Sequence, residues 1–263
     1  MAAPSEYARY ACLDELLSLQ WPRTQAPAEL SFIITTQVME LYFKLLHHEW
    51  TAACAKLDLD DVRGAIADLR RGHGVQDALT ASWEALRTLT PAEFDEFRDA
   101  FGAASGIQSE LYRDLEQSLG VPYPSRPSVP SLEECAARLL ERRGLAEGWR
   151  EVYAHSAEHP DLIDLGEALF DAADRFTRWK QRHLLSVWRS MGAKKGSAGT
   201  SGARASSRGG RPAMPGALRG GPPGPGTVAC SAASAARAPA WAAHRRLISR
   251  ATWRSRTALT RTE

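Results

Sequence analysis

The stretch that decides the fold is SFIITTQVMELYFKLLHHEWTAACAK, residues 31–56, which contains neither glycine nor proline. Its large apolar side chains recur at intervals of three and four residues, the spacing that places them on one broad face of an α-helix. Ser31 offers a hydroxyl that can cap the first turn. The segment therefore predicts one long amphipathic helix, whose apolar face must be covered by other elements.

The same spacing recurs in both directions from this helix. It predicts helices over 60–71 and 76–89, with a break at Gly72–His73–Gly74 that places His73 in a loop, and a last helix from Asp161 to about Met191. TPAE at 90–93 has the threonine, proline and glutamate of a helix start. No stretch alternates polar and apolar residues as a strand does. We therefore predict an all-α fold, with the helices arranged as a bundle.

Charge divides the chain into two parts. Residues 1–195 carry 22 Lys and Arg against 30 Asp and Glu, whereas 196–263 carry 11 Arg and one acid. The second part also holds 10 of the 20 glycines and 6 of the 15 prolines. Such a composition buries too little apolar surface to offset the entropy lost on ordering. We expect 203–263 to be a low-complexity tail, either disordered or translated from a shifted reading frame.

Composition argues against several classes of protein. No apolar run reaches the roughly 20 residues of a membrane-spanning helix, and MAAPSEYARY at the N-terminus lacks the apolar core of a signal peptide. The arginines of the tail could hold phosphate only weakly and carry no recognised RNA motif, so nucleic acid is not an expected partner. The four cysteines, Cys12, Cys54, Cys135 and Cys230, are too widely spaced to indicate a zinc knuckle or a disulfide framework. We expect a cytoplasmic protein with reduced thiols.

One histidine is a candidate for chemistry. His183 lies in the most apolar helical segment, near Trp179 and Trp188. It is either a hydrogen-bonded core residue or an axial ligand of haem iron, and residue types alone leave both interpretations open. His155 and His159 have the spacing of a metal pair on a helix, yet no third ligand accompanies them, so we expect solvated side chains there.

Two arginines flank the small-residue break GAASG at 102–106. Arg98 precedes it and Arg113 follows it. An arginine beside such a turn can hold a carboxylate through two parallel hydrogen bonds. The alternative is a solvated arginine on a helix surface, which the residue types alone favour.

Four blocks of sequence, in order, resemble the tryptophan 2,3-dioxygenase family. The first runs from Tyr7 to Pro22 and includes Tyr10, and the second is FIITTQVMELYFKLLHHE at 32–49. The third is LTPAEFDEFRDAFGAASGIQSELYR at 89–113, and the fourth is FTRWKQRHLLSVWRSMGAKKGSAGTSG at 176–202. The last two are the most specific, because neither SG-[FI]-QS-x-x-[YF]-R nor W-[RK]-x-x-H before a glycine-rich loop is a general helix pattern. The resemblance implies that 1–202 is one haem-binding all-α domain.

The resemblance also implies a cofactor, haem b with O₂ as co-substrate, and roles for individual residues. His183 would be the proximal ligand of the iron, and Arg113 would pair with the carboxylate of the substrate. Ser197, which replaces a family threonine, would contact the substrate ammonium group, and Phe32 would pack against the indole.

The resemblance further implies a homotetramer, in which Tyr7 and Tyr10 reach into the pocket of a neighbouring subunit.

The sequence departs from the family in three places. Thr36, in ITTQ at 34–37, stands where the family has a distal histidine, so a threonine hydroxyl or a water would have to accept the indole N–H. Thr36 is therefore the candidate catalytic residue. The loop GSAGTSG at 196–202 differs mildly from the family's GTGGSSG, and the segments that follow this loop in the family are replaced by the basic tail.

The function implied by the resemblance is oxygenation of the indole ring of L-tryptophan or a β-substituted tryptophan. O₂ would add at C2 and C3 and give an N-formylkynurenine-type product. Two alternatives stay open: a secondary-metabolism monooxygenase of the same superfamily that gives an oxindole or a hydroxylated tryptophan, and a non-catalytic haem-binding helical protein. The number of oxygen atoms in the product separates the first two.

Overall fold

The computed structural model describes residues 4–102, 104 and 106–191, and every regular element in this part is helical, which confirms the all-α fold. Short 3₁₀ turns occupy Trp83–Leu86, Asp99–Phe101 and Gly106–Gln108. The α-helices are α1 (Glu6–Tyr10), α2 (Leu13–Leu17), α3 (Pro27–Asp58), α4 (Val62–Ser82), α5 (Pro91–Arg98), α6 (Glu110–Ser118), α7 (Leu132–Arg142), α8 (Trp149–Ala154) and α9 (Pro160–Met191). The tail predicted for 203–263 lies outside the described residues.

Helix α3 begins at Pro27 rather than at the predicted cap Ser31. Proline is favoured at the first helical position because its missing N–H would have no partner there. The buried carboxylate of Glu29 holds the incoming chain by accepting hydrogen bonds from the backbone N–H groups of Arg23 and Thr24, at 2.9 and 2.7 Å. The entry of α3 is thus fixed by an acidic side chain in its first turn and not by a serine cap.

The predicted break at Gly72–His73–Gly74 is wrong, because α4 continues through it from Val62 to Ser82. A Cβ at Gly72 would lie only 3.2 Å from Leu46 Cδ1 and 3.3 Å from Trp50 Nε1, so this glycine lets α3 and α4 approach closely. His73 is buried, and its Nε2 lies 3.0 Å from the carbonyl oxygen of Ala168. Gly72 therefore packs α4 against α3 and His73 packs it against α9, and neither residue ends the helix.

The core lies between α3, α4 and α9, with α6 and α7 packed against α3. Gln76 Nε2 in α4 donates to the carbonyl oxygen of Ala172 in α9, which adds a buried polar link to the apolar contact. The large fully buried side chains of this core include Leu46, Trp50, Leu57, Leu69, Leu79, Leu115, Leu139, Leu162 and Leu165. A smaller cluster of phenylalanines lies where α5 meets α3 and α9.

Two cysteines that were predicted to be reduced form a disulfide. Cys54 in α3 and Cys135 in α7 are bonded, with a Cα–Cα distance of 5.5 Å, although 81 residues separate them along the chain. The expectation of no disulfide is wrong because spacing in sequence does not show that α7 returns to pack on α3. Cys12 is a free, exposed thiol, and Cys230 lies outside the described residues.

His155 and His159 do not share a helix. His155 ends α8, and His159 immediately precedes α9. In the part of the chain that the structure describes, no group of three His, Cys, Asp or Glu side chains is placed to hold a metal ion. None of the helices described here is both long and apolar enough to cross a membrane.

Candidate functional site

His183 lies on the C-terminal half of α9 beside two tryptophans that also contact each other. Its ring is stacked on Trp83 with 5.0 Å between centroids and 17° between planes, and on Trp179 at 5.9 Å and 21°. Removal of the imidazole from water lowers the pKa of His183 to about 4, and the positive charge of Lys180 lowers this pKa further. The ring is therefore neutral at physiological pH, and a neutral imidazole is the form that binds iron.

The two tryptophans beside His183 also have polar groups without hydrogen-bond partners among the described residues. The indole N–H groups of Trp83 and Trp179 are buried and have no hydrogen-bond partner among the residues described. Buried polar atoms without partners are uncommon in folded proteins and often mark a place where a ligand or water binds. Two indole rings, a neutral imidazole and indole donors without partners among the described residues are together compatible with haem, whose iron His183 would hold.

Phe32 lies in the phenylalanine cluster between α3 and α5. Its ring centroid is 4.9 Å from that of Phe101, with the planes 29° apart, and 5.7 and 6.0 Å from those of Phe97 and Phe94. Met191 at the end of α9 packs against the same cluster. The helix that carries His183 therefore ends beside an apolar aromatic patch of the kind that can hold an indole.

Thr36 lies one turn after Phe32 on α3 and is exposed. Its Oγ1 donates a hydrogen bond to the carbonyl oxygen of Phe32 at 2.8 Å. Because the hydroxyl hydrogen is used in this way, the lone pairs of Oγ1 remain available to accept a hydrogen bond. The predicted substitute for the distal histidine thus presents an acceptor next to the aromatic patch.

Arg113 lies on α6, the short helix that begins just after the GAASG break. The hydroxyl of Ser109 caps this helix by accepting from the backbone N–H of Tyr112 at 3.1 Å, and it donates to Glu40 Oε2 in α3 at 3.1 Å. The guanidinium of Arg113 is half-buried and forms an ion pair with Glu110 at 3.2 Å. Because Glu110 is 66% exposed, the guanidinium can exchange this contact for a ligand carboxylate.

Two predicted site residues stay apart from the others in the single chain. Tyr7 and Tyr10 lie on α1, where they are 73% and 92% exposed. Ser197 lies outside the described residues. The structure thus brings Phe32 and Thr36 together on α3 and places His183 on the helix that ends at their aromatic patch.

Local spacing in the sequence does not predict that Trp83 is a neighbour of His183. Trp83 is in the 3₁₀ turn after α4, 100 positions earlier in the chain, and only the packing of α4 on α9 brings the rings together. A tryptophan placed just before the third family-like block was the available signal.

Comparison with known proteins gives a consistent result. The family model described as tryptophan 2,3-dioxygenase matches residues 2–129 and 138–206. A tryptophan 2,3-dioxygenase of Bradyrhizobium sp. strain BTAi1 is 37% identical over 234 residues, which cover 74% of this chain and 84% of the relative. Those of Polaromonas sp. strain JS666 and Caulobacter vibrioides are 36% and 34% identical, over 74% and 77% of this chain and 80% and 91% of theirs.

The matched residues include both helices that carry the candidate site, α3 and α9. Identity of this level over most of both chains, together with a family model that spans most of the described residues, is sufficient to assign the family. The chain belongs to the tryptophan 2,3-dioxygenase family and is accordingly a haem-dependent oxidoreductase that uses O₂.

Proposed function

We propose that this enzyme dioxygenates the indole ring of L-tryptophan, or of a β-substituted tryptophan, to an N-formylkynurenine-type product. The observation that carries the proposal is the imidazole of His183, which packs against the rings of both Trp83 and Trp179 and is neutral at physiological pH. This side chain would hold haem b, and the haem when bound supplies the activation of O₂. The family name of the relatives supports tryptophan as the substrate.

In this proposal α3 orients the indole ring. Phe32 and Phe101, packed on the buried ring of Phe97, supply an apolar aromatic contact for the ring. The Oγ1 of Thr36 accepts the indole N–H, since its own hydrogen is donated to Phe32. These contacts fix the face and the register of the ring, and they exclude water from around it.

The charged groups of the amino acid require their own partners. Arg113 would bind the carboxylate by exchanging its contact with Glu110. Ser197, with a hydroxyl where the family has threonine, would accept from the ammonium group. A zwitterionic substrate needs both, because a buried charge without a partner is costly.

We further propose that the chain works as a homo-oligomer, a tetramer by resemblance to its family. Four apolar side chains one or two turns apart on α3, Leu30, Ile34, Leu41 and Leu45, are each 42–49% exposed. Exposed apolar side chains along one face of a long helix, on either side of Gln37, are typical of an interface. Tyr7 and Tyr10, exposed on α1, would reach a neighbouring subunit's pocket.

We also propose 1–202 as the haem-binding domain and 203–263 as a separate low-complexity tail. The family model ends at residue 206, close to this boundary, which supports the division. A cytoplasmic location stays a prediction from the sequence.

The proposed function is tested with haem-loaded protein reduced under anaerobic conditions. O₂ is then added with L-tryptophan or with L-phenylalanine, and O₂ consumption, the Soret spectrum and the product are recorded. We expect consumption with tryptophan only, together with the absorbance of an N-formylkynurenine-type product. An oxindole or hydroxytryptophan would instead indicate the monooxygenase alternative, and a Soret band without O₂ consumption would indicate a non-catalytic haem protein.

A further inference from the structure

A buried carboxylate joins α6 to α9. The side chain of Glu116, in the second half of α6, is only 9% exposed. It accepts hydrogen bonds from Tyr112 Oη at 2.8 Å, from Lys180 Nζ at 2.7 Å and from the hydroxyl of Tyr123. Three donors on three segments of the chain therefore converge on one carboxylate, and one of them carries the charge that balances it.

Both ends of this link lie close in sequence to proposed site residues. Glu116 is three residues after Arg113 on α6, so the two side chains project from adjacent positions on that helix. Lys180 is three residues before His183 on α9, about one turn away. The Glu116–Lys180 pair thus connects the helix of the proposed carboxylate partner with the helix of the proposed iron ligand.

Helix α6 depends on such contacts for its position. It has nine residues, and helices this short are marginal without tertiary packing. The ring of Tyr112 packs against Phe176 and Trp179 of α9, with centroids 6.0 and 5.8 Å away, which fixes how far apart the two helices lie. Apolar contact is non-directional, so the register of α6 along α9 needs a directional interaction, and the ion pair supplies it.

We infer that Glu116 is a positioning residue, which holds α6 in register against α9 so that Arg113 and His183 keep one fixed spacing. The inference rests on the proposed function, because the register of α6 affects the reaction only if tryptophan binds between Arg113 and the haem held by His183. Glu116 acts through Arg113 and does not contact the substrate in this scheme.

The charge balance of the pair dictates the form of the test. Removing one partner leaves the other charge buried and unpaired, whereas removing both leaves no charge to compensate. A double-mutant cycle of E116Q, K180M and the double variant therefore isolates the interaction between the two. Y123F, which removes one of three hydrogen bonds, provides a milder variant in case E116Q folds poorly.

The control is an ion pair that also reaches α9 but lies at its other end. Asp161 at the start of α9 accepts from Arg143 Nη1 at 2.8 Å, next to the end of α7. D161N removes this link without touching α6. It should lower thermal stability while leaving tryptophan binding and the exchange of α6 amides as in wild type.

Two readouts are measured on the haem-loaded full chain. Amide hydrogen exchange over 110–118, without tryptophan, should accelerate by about tenfold or more in E116Q and in K180M. The dissociation constant for L-tryptophan should rise about tenfold or more in each, because a small displacement of a binding group has a large effect on affinity. In the double variant neither effect should exceed that of the larger single variant, because the ion pair that sets the register is already broken in each.

The inference is overturned if E116Q lowers the melting temperature as D161N does but leaves exchange over 110–118 and tryptophan affinity within about twofold of wild type. It is also overturned if the two single effects simply add in the double variant. Failure of the proposed function is distinguishable, since wild-type protein would then not bind tryptophan, while exchange in E116Q would still decide whether Glu116 anchors α6.

Discussion

The imidazole of His183 and the indole of Trp83 are stacked, with their centroids 5.0 Å apart and their planes within 17° of parallel. Trp83 belongs to the turn after α4, so this contact ties the candidate ligand helix α9 to the end of the neighbouring helix α4. Stacking fixes the orientation of the ring, which an iron ligand requires, since its nitrogen must point at one position.

Replacement of His183 tests its role as the iron ligand. His183→Ala should abolish retention of haem, seen as loss of the Soret band after purification, and added imidazole should restore part of it. The matched control is His155→Ala at the exposed end of α8, which should bind haem normally. A normal Soret band in the His183 variant would refute the assignment.

Replacement of Arg113 tests the carboxylate contact. Arg113→Ala should raise the KM for L-tryptophan strongly, because breaking a buried charge-assisted pair costs about 2–5 kcal/mol. Arg113→Lys should recover part of the loss, since it keeps the charge but not the paired geometry. Arg87→Ala, at a largely exposed ion pair with Glu84, serves as the control. An unchanged KM in the Arg113 variant would show that the carboxylate binds elsewhere.

The hydroxyl of Thr36 is tested with a substrate that lacks its partner. Thr36→Val should lower kcat/KM for L-tryptophan about tenfold, since an indole N–H left without an acceptor costs about 1–3 kcal/mol. With 1-methyltryptophan, which has no indole N–H, wild type and variant should react equally slowly. Equal losses with both substrates would mean that Thr36 acts through shape and not as an acceptor.

Glu29 predicts a dependence of stability on pH. The hydroxyl of Thr24, followed by the backbone N–H groups of Arg23 and Thr24, donates to this carboxylate and holds its pKa below the ordinary value of 4.5, against the effect of desolvation. Because the folded-state pKa is lowered, the stabilisation is present above the unfolded-state pKa and is lost as pH falls through the folded-state pKa.

Glu29→Gln should therefore have a lower melting temperature than wild type at pH 7, and the difference should shrink as the pH falls below 4.5 and through the lowered pKa of Glu29. Glu158→Gln, at an exposed carboxylate between α8 and α9, should show little difference at either pH. A difference in melting temperature between Glu29→Gln and wild type that does not change with pH would contradict the role assigned to the charge of Glu29.

Local sequence patterns predicted the features that depend on one segment alone, such as the extent of a helix. The spacing of apolar residues located α9 within one residue, because amphipathic periodicity is a property of the segment itself. The predicted break at Gly72–His73–Gly74 is wrong because the role of Gly72 depends on the close approach of α3, which no local pattern contains. The same reason explains the bonded pair Cys54 and Cys135.

The site was only partly predictable for a related reason. Resemblance identified His183 and Arg113 from motifs, and the structure supplies what surrounds them. The contacts of Trp83 with His183 and of Glu116 with Lys180 join residues 100 and 64 positions apart, so they follow from helix packing and not from spacing. Nothing in the local sequence distinguishes Trp83, Glu116 and Lys180 from the other tryptophans, glutamates and lysines of the chain.

The central claim, that this chain dioxygenates the indole ring with His183 as the iron ligand, is tested most directly with labelled oxygen. Haem-loaded protein is reduced, given L-tryptophan and ¹⁸O₂, and the product is analysed by mass spectrometry beside His183→Ala. We predict an N-formylkynurenine-type product that carries two labelled oxygen atoms in wild type and no product in the variant. A product with one labelled atom, or equal turnover by the His183 variant, would contradict the claim.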